Sequence, residues 1–583
     1  MALKAFITLT ILTLWPVNAL WPIPQEISTG NETLRITKDI QVTYNGVAVD
    51  WTMGKARHNA SLGSSNSGTS SNNTTPIVRS QIVHNAIPRA MKAIFDHGLV
   101  PWMLNRPDSN WEPDLSGVNG IVTTLHITQT SNIDDANPLI GSIDESYSLS
   151  LSSSGKATIK GNSHIGVLHG LETFTQLFYK HSSGSKWYTK LAPVSIQDKP
   201  KFPYRGLMLD TGRHFYPVAD IKRTIKGLST NKMNVFHWHI TEVQSWPLEI
   251  PALPKLAEAG RFAPGLSYSP DDINDVLEYG IARGVQVILE IDMPGHQMAG
   301  KAYPEVGVAY EAKPWNKYCN EPPCGALRLG NNATNTFLDT LFDDLLPRLK
   351  PYSAYFHTGG DEYKATNSLL DPDLKTDSAG VLRPLLQDFL DRVHDLIRKH
   401  GLIPIVWEEM ASQWGTKVGK DVNLQAWLGA SVQKYAKAGF KVIDTNYDVF
   451  YLDCGRGPWI DNARPPYRDW CPPTKPWQLI YTHDSLSRLS AAAAKNVLGG
   501  EVAIWSENID SATLDGIAWP RTCAAAENWW SGVKDILGKV RTIAEARPRL
   551  SEMRARMIAM GLNAAAVSSL YCEQMPYGAC LDD

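Results

Sequence analysis

The chain has 583 residues, more than one ordinary domain, and 43% of them are apolar, so a large core can form. A formal net charge of -3 and a pI near 6.6 exclude the strongly basic footprint of a protein whose main partner is nucleic acid or an anionic membrane. Nineteen tryptophans and 21 tyrosines supply flat amphipathic rings, which pack cores and also suit the faces of sugars.

The chain opens MALKAFITLTILTLWPVNA: one basic residue, an apolar run from Ala5 to Trp15, then Val17 and Ala19 spaced like a cleavage site. Residues 1–19 therefore read as a secretory signal, and the expected destination is extracellular. No later stretch supplies the roughly 20 apolar residues of a membrane span. Sequons at Asn31, Asn59, Asn72, Asn73 and Asn332 are candidate glycosylation sites on that route. Residues 20–107 read as a propeptide-like segment containing SLGSSNSGTSSNNTT (61–75), a Ser/Asn-rich linker too polar to pack a core. Within residues 108–200, GIVTTLHITQT and SYSLSLSSSGKATIKG alternate like strands, and GVLHGLETFTQLFYK reads as an amphipathic helix. That predicts a small α+β domain.

From residue 201 to 583, eight short apolar segments recur: GLMLD, NVFHWHIT, VQVILEI, AYFHTGG, PIVWEE, NLQAWL, KVIDTNY and NVLGGEVAIW. The clearest helix between them is VLRPLLQDFLDRVHDLIRKHG. Its Leu382, Leu385, Leu386, Phe389, Val393, Leu396 and Ile397 share one face, and Gly401 supplies the stop. Eight buried strands alternating with helices predict an α/β fold, a (β/α)8 TIM barrel, whose active site sits at the C-terminal strand ends. Those ends carry Asp210 and Arg213; His237, His239 and Glu242; Asp292 and His296; Asp361 and Glu362; Trp407 and Glu408; Trp427; Tyr447, Tyr451 and Asp453; and Trp505 with Glu507. Carboxylates, an arginine and aromatic rings at one mouth suit a sugar pocket.

Seven cysteines in an oxidising compartment should largely pair. Proximity suggests Cys319–Cys324, Cys454–Cys471 and Cys572–Cys580, leaving Cys523 as a buried thiol in an alanine-rich helix.

The fourth segment ends in HTGGDEYK, with Asp361 and Glu362 side by side. Glycosidases normally place two carboxyls on opposite sides of the scissile bond, about 5 to 9.5 Å apart. Neighbours on one strand, with Cα atoms about 3.8 Å apart and side chains pointing different ways, fit that poorly. One carboxyl can instead protonate the leaving oxygen while the other holds a nucleophile that belongs to the substrate, such as a 2-acetamido group.

The motifs RGLMLDTGRHF, NVFHWHIT, EIDMPGH, HTGGDEY, VWEE, YLD and GGEVAIWSE, in that order along a chain whose resemblance starts at about residue 118, resemble the β-N-acetylhexosaminidases of glycoside hydrolase family 20, most closely the secreted fungal type. The resemblance implies an exo-acting, retaining hydrolase that needs no cofactor or metal and works through an oxazolinium intermediate. Its substrate would be a β-linked N-acetylhexosaminide, of glucosamine and also galactosamine type. It also implies a homodimer with an associated propeptide. By matching motif, Glu362 is the implied acid and base, and Asp361 orients the acetamido nitrogen. His296 supports Glu362, and Tyr451 binds the acetamido oxygen. Arg205 is implied to grip the 3- and 4-hydroxyls, Asp453 and Glu507 the 4- and 6-hydroxyls. Trp407, Trp427 and Trp505 wall the pocket, with His237 at its side. Glu242 stands where the family commonly has an aspartate that partners the histidine of the PGH motif. The extra methylene implies that either the carboxylate recoils or the histidine shifts.

Other readings compete. Arg205 and Asp210 also fit a buried ion pair at the barrel base, because Arg205 lies near the start of its strand. His237 and His239, two apart on one strand, face the same way and could ligate a metal as in amidohydrolase barrels. A lectin on a disabled glycosidase scaffold is the non-enzyme alternative, disfavoured by the presence of both Asp361 and Glu362.

Overall fold

The computed structural model describes residues 20–52, 80–131, 139–461, 464–576 and 578–580. The signal-like residues 1–19, the 61–75 linker and the sequons at Asn59, Asn72 and Asn73 lie outside the described residues.

The N-terminal sheet is built from β1 (Glu26–Tyr44), β2 (Val47–Ala48), β3 (Ile121–Gln129), β4 (Tyr147–Leu151), β5 (Lys156–Gly161), β6 (Tyr179–Lys180) and β7 (Trp187–Asp198), in the order β2-β1-β3-β5-β4-β7-β6. The helix His164–Gln176 packs on it, capped by the Ser163 side chain, which accepts from the backbone of Gly166. β1 pairs antiparallel with β7 through its first part and parallel with β3 through its second. The expected boundary at residue 107 is therefore corrected. The segment from residue 20 supplies a strand that two others need, so it belongs to the α+β domain.

Eight parallel strands close the barrel: β8 (Tyr204–Asp210), β9 (Val235–His239), β10 (Gln286–Glu290), β13 (Tyr355–His357), β14 (Ile403–Trp407), β15 (Asn423–Ala426), β16 (Lys441–Asp444) and β17 (Val497–Ile504). A short antiparallel pair, β11 (Gly307–Val308) and β12 (Ala326–Leu327), lies outside it. Every residue of β8, β9, β10, β13 and β15 is buried, which is why they read as short, largely apolar segments. The helix Ala379–Lys399 buries Leu382, Leu386, Phe389, Val393 and Ile397, and the chain leaves it through Gly401 at φ 75°.

The domains meet at the barrel base, and Arg205 lies there. Its guanidinium is fully buried: Nη1 bonds Glu145 at 3.2 Å and the Phe202 carbonyl at 2.8 Å, Nε bonds the Lys232 carbonyl at 2.9 Å, and Trp530 covers it. Burial opposes ionisation of Glu145, but Arg205 and His169 outweigh it and hold the carboxyl at about 2. The expectation that Arg205 grips sugar hydroxyls is thus corrected: it sits at the start of β8, about 17 Å of strand from the C-terminal mouth. Its partner is Glu145 rather than Asp210. Among the described residues, no helix is long and apolar enough to cross a membrane.

Candidate active site

β13 ends in two glycines with positive φ, Gly359 at 64° and Gly360 at 104°. A Cβ on Gly359 would lie 1.9 Å from an oxygen of Asp292, so only glycine lets this turn reach the β10 loop. Gly360 donates its amide to Asp292 Oδ1 at 2.8 Å. Glu362 itself sits at φ 52°, which turns it away from Asp361 and gives the two carboxyls different neighbours.

Asp361 is buried, and its carboxyl lies within 4.8 Å of that of Asp292, which stands just beyond β10. Burial and the charge of Asp361 push Asp292 well above the usual carboxylate range, so of the two it is Asp292 that favours the protonated form. Burial also raises Asp361, against the pull of His296 and of that proton. Glu409 stands near, pushed up to about 9 by burial and Asp361, and it accepts from Trp427 Nε1 at 2.8 Å.

Glu362 instead faces His296, whose Nε2 lies 3.5 Å from its Oε2. Burial opposes ionisation, but His296, Asn320 and Arg213 outweigh it and keep Glu362 below the usual range. His296, also at positive φ, contacts Glu242 through Nδ1 at 3.1 Å. Glu242 spreads over three cations: His296, His239 Nε2 at 3.0 Å and Arg213 Nη2 at 3.0 Å. Those charges override burial and hold Glu242 well below its normal value, and Glu242 in turn, against the effect of burial, raises His296 well above its own. The longer arm of Glu242 reaches His296 at 3.1 Å. Gly212 makes the room, since a Cβ there would lie 3.0 Å from the Cβ and Cγ of Glu242.

Below this layer runs a buried alternation of acid and imidazole. His239 Nδ1 meets Glu290 at 2.7 Å, Glu290 meets His237 at 2.9 Å, and His237 meets Glu501 at 2.8 Å. His237 is raised to about 9 because Glu501 and Glu290 override the effect of its burial. It is therefore corrected from a pocket-side residue to one inside the barrel. The imidazoles of His237 and His239 face carboxylates on both nitrogens, a donor set already committed to ion pairs, which does not fit the metal-site reading.

The other strand ends form an aromatic box. Trp407 is its buried floor, with Nε1 donating to Glu290 at 2.7 Å, and it packs against Trp505, which in turn packs against Tyr451. Trp427 stacks on Tyr451 with ring centroids 6.1 Å apart. Asp453 is raised to about 7 and Glu507 well above its normal value, both chiefly by burial. Arg213 lies across the Trp505 ring, 5.0 Å from its centroid, and pairs with Asp210 at 3.3 Å and with Glu321. It stands at the pocket end of β8, where Arg205 does not. Trp470, 53% exposed in the Cys454–Cys471 loop, edges onto Trp427 and Tyr447 at the rim.

Sequence reasoning placed Arg213 and Asp292 at the barrel mouth without an individual role, and did not single out Glu321 or Trp470. The TGR that follows β8 and the cysteine flanking Trp470 were the available signals. All three expected disulfides are present, and Cys523 is free and buried, its thiol pushed up by burial.

Comparison with known proteins agrees with this geometry. Residues 202–533 match the family model "Glycosyl hydrolase family 20, catalytic domain", and residues 20–177 match "beta-acetyl hexosaminidase like". The chain is 36% identical to a Beta-hexosaminidase of Arthroderma benhamiae, over 95% of this chain and 96% of that protein. It is 34% identical to the Chitooligosaccharidolytic beta-N-acetylglucosaminidase of Bombyx mori, over 74% of each. A Flavobacterium johnsoniae chitobiase structure superposes with a TM-score of 0.71 at 28% identity, covering 94% of this chain and 73% of that one. With both domains matched and the strand-end carboxyls assembled at one barrel mouth, the chain belongs to glycosyl hydrolase family 20.

Proposed function

We propose that this glycoside hydrolase removes terminal, non-reducing N-acetylglucosamine, and also N-acetylgalactosamine, from β-linked oligosaccharides or glycans, with retention and with the substrate's own acetamido group as nucleophile. The observation that carries this reading is the divergence of two adjacent carboxyls: Asp361 turns to Asp292, and Glu362 turns to His296.

Glu362 and His296 hold one proton between them, resting on His296 before substrate binds. Passed across their contact to Glu362, it protonates the glycosidic oxygen as the bond to C1 breaks. The acetamido carbonyl oxygen attacks C1 from the other face and closes a five-membered oxazolinium ring. Asp361, ionised because Asp292 keeps the proton, accepts the acetamido N–H and offsets the positive charge of that ring. Glu362, now a carboxylate, takes a proton from water as the water attacks C1 and opens the ring. Tyr451 holds the acetamido oxygen, Arg213, Asp453 and Glu507 bind hydroxyls, and Trp407, Trp427 and Trp505 enclose the sugar.

Secretion fits the signal-like residues 1–19, and glycosylation fits the exposed Asn31 and Asn332. The homodimer and an associated propeptide rest on the fungal resemblance. The function is tested by turnover of chromogenic N-acetylglucosaminide, N-acetylgalactosaminide and plain glucoside. Turnover of the two acetamido sugars alone is expected, and equal turnover of the plain glucoside would remove the acetamido nucleophile.

A further inference from the structure

The Cys319–Cys324 loop, CNEPPC, lies across the site without belonging to any barrel strand. It is tied to both catalytic turns. On one flank, Gln297 donates its amide to the Gly325 carbonyl at 3.2 Å, and Leu327 donates to the Pro294 carbonyl at 2.8 Å, so the loop is stitched to the turn that carries His296. On the other flank, Lys364 Nζ bonds the Cys319 carbonyl at 2.6 Å, two residues past Glu362. From this span Glu321 reaches Arg213, bonding Nε at 3.1 Å and also Nη2. Asn320, the residue before Glu321, stands close enough to the Glu362 carboxyl to favour its ionised form.

Arg213 has three carboxylate partners, and they are not equivalent. Asp210 is a neighbour on its own turn. Glu242 is shared with His239 and His296. Glu321 alone takes Nε, the donor that fixes how the guanidinium lies over Trp505. Without it the guanidinium loses the contact that sets its orientation over the Trp505 ring.

We propose that Glu321 is a positioning residue for the sugar-binding arginine, and that the Cys319–Cys324 loop, through Glu321 and Asn320, holds Arg213 and Glu362 in register with each other. This rests on the proposed function. It adds that substrate affinity depends on a short disulfide-closed loop outside the barrel strands.

The test compares wild type, Glu321→Gln, Glu321→Asp and the double variant Cys319→Ser/Cys324→Ser on a chromogenic N-acetylglucosaminide, with thermal melting in parallel. Glu321→Gln keeps the shape and removes the charge. It is expected to raise KM about tenfold or more while kcat stays within about twofold, since one charge-assisted contact on a binding residue is lost. Glu321→Asp should recover part of that loss. The double cysteine variant should raise KM and also lower kcat, because Asn320 is released with Glu321. An unchanged KM in Glu321→Gln with native melting overturns the proposal, as does a fall in kcat alone. Should the cysteine variant fail to fold, the two Glu321 variants decide by themselves. Wild-type turnover in the same assay reports separately on the proposed function.

Discussion

Glu242→Asp withdraws a carboxylate that makes three contacts at once: His239 at 3.0 Å, Arg213 at 3.0 Å and His296 at 3.1 Å. Removing one methylene shortens the arm by about 1.5 Å. The Cβ and Cγ that pack on Gly212 remain, and the contact to His296 stretches from 3.1 Å to about 4.6 Å. At an effective dielectric of about 20, attraction between unit charges falls from about 5.4 to about 3.6 kcal/mol over that change. The difference, about 1.7 kcal/mol, equals roughly 1.3 pH units. The sign follows from what Glu242 does. It raises His296, so weakening it lowers the pH at which the His296–Glu362 pair loses its shared proton. Activity requires that proton, so the basic limb of the kcat/KM profile should move toward acid by about one unit while the acid limb stays. The assay is a pH series on a chromogenic N-acetylglucosaminide. A basic limb that does not move, in a variant with wild-type melting, refutes the claim that Glu242 sets the proton on His296.

Three further expectations follow from the site and the domain contact. Glu362→Gln should lower kcat by roughly two to four orders of magnitude, and Asp361→Asn should lower kcat on acetamido substrates with melting preserved; an active Glu362→Gln variant contradicts the assignment. Arg205→Met should leave KM unchanged but cost about 3–5 kcal/mol in denaturant unfolding, because it strands the buried Glu145. Glu145 is depressed in the fold, so its contribution is present above its unfolded value near 4.5 and lost as pH falls toward about 2; a KM effect without a stability effect would return Arg205 to the pocket. Trp470→Ala should raise KM for a β-linked disaccharide more than for an aryl monosaccharide, since its exposed ring stands beyond the Trp427 wall; equal effects would make it a packing residue only.

The barrel was legible because its strands are buried on both faces and so stand out as short apolar runs between loops. Its polarity then placed Asp361, Glu362, His296 and Glu242 at one mouth. β1 was missed for the opposite reason. EISTGNETLRITKDIQVTY has one exposed face and many polar residues, and its partner β7 lies about 150 residues further on, where no local pattern can announce it. Arg205 was misplaced because one motif carries arginines at both ends of a seven-residue strand, and only strand direction tells base from mouth. His237 and His239 share an inward direction, but one layer of barrel separates a buried charge from one that touches Glu242.

The two ends of the described chain touch. Trp21 donates to the Cys523 carbonyl, and Arg549 bonds both the Leu20 carbonyl and Glu527, which in turn accepts from the backbone of Ile23. During synthesis the first of these groups emerges some 500 residues before its partners, so the earliest-made stretch has to wait, unsatisfied, until nearly the whole polypeptide is available. Trimming a few residues after Ala19 and deleting the Arg549 helix should therefore produce the same defect from opposite directions, and neither domain should be obtainable as a self-sufficient fragment.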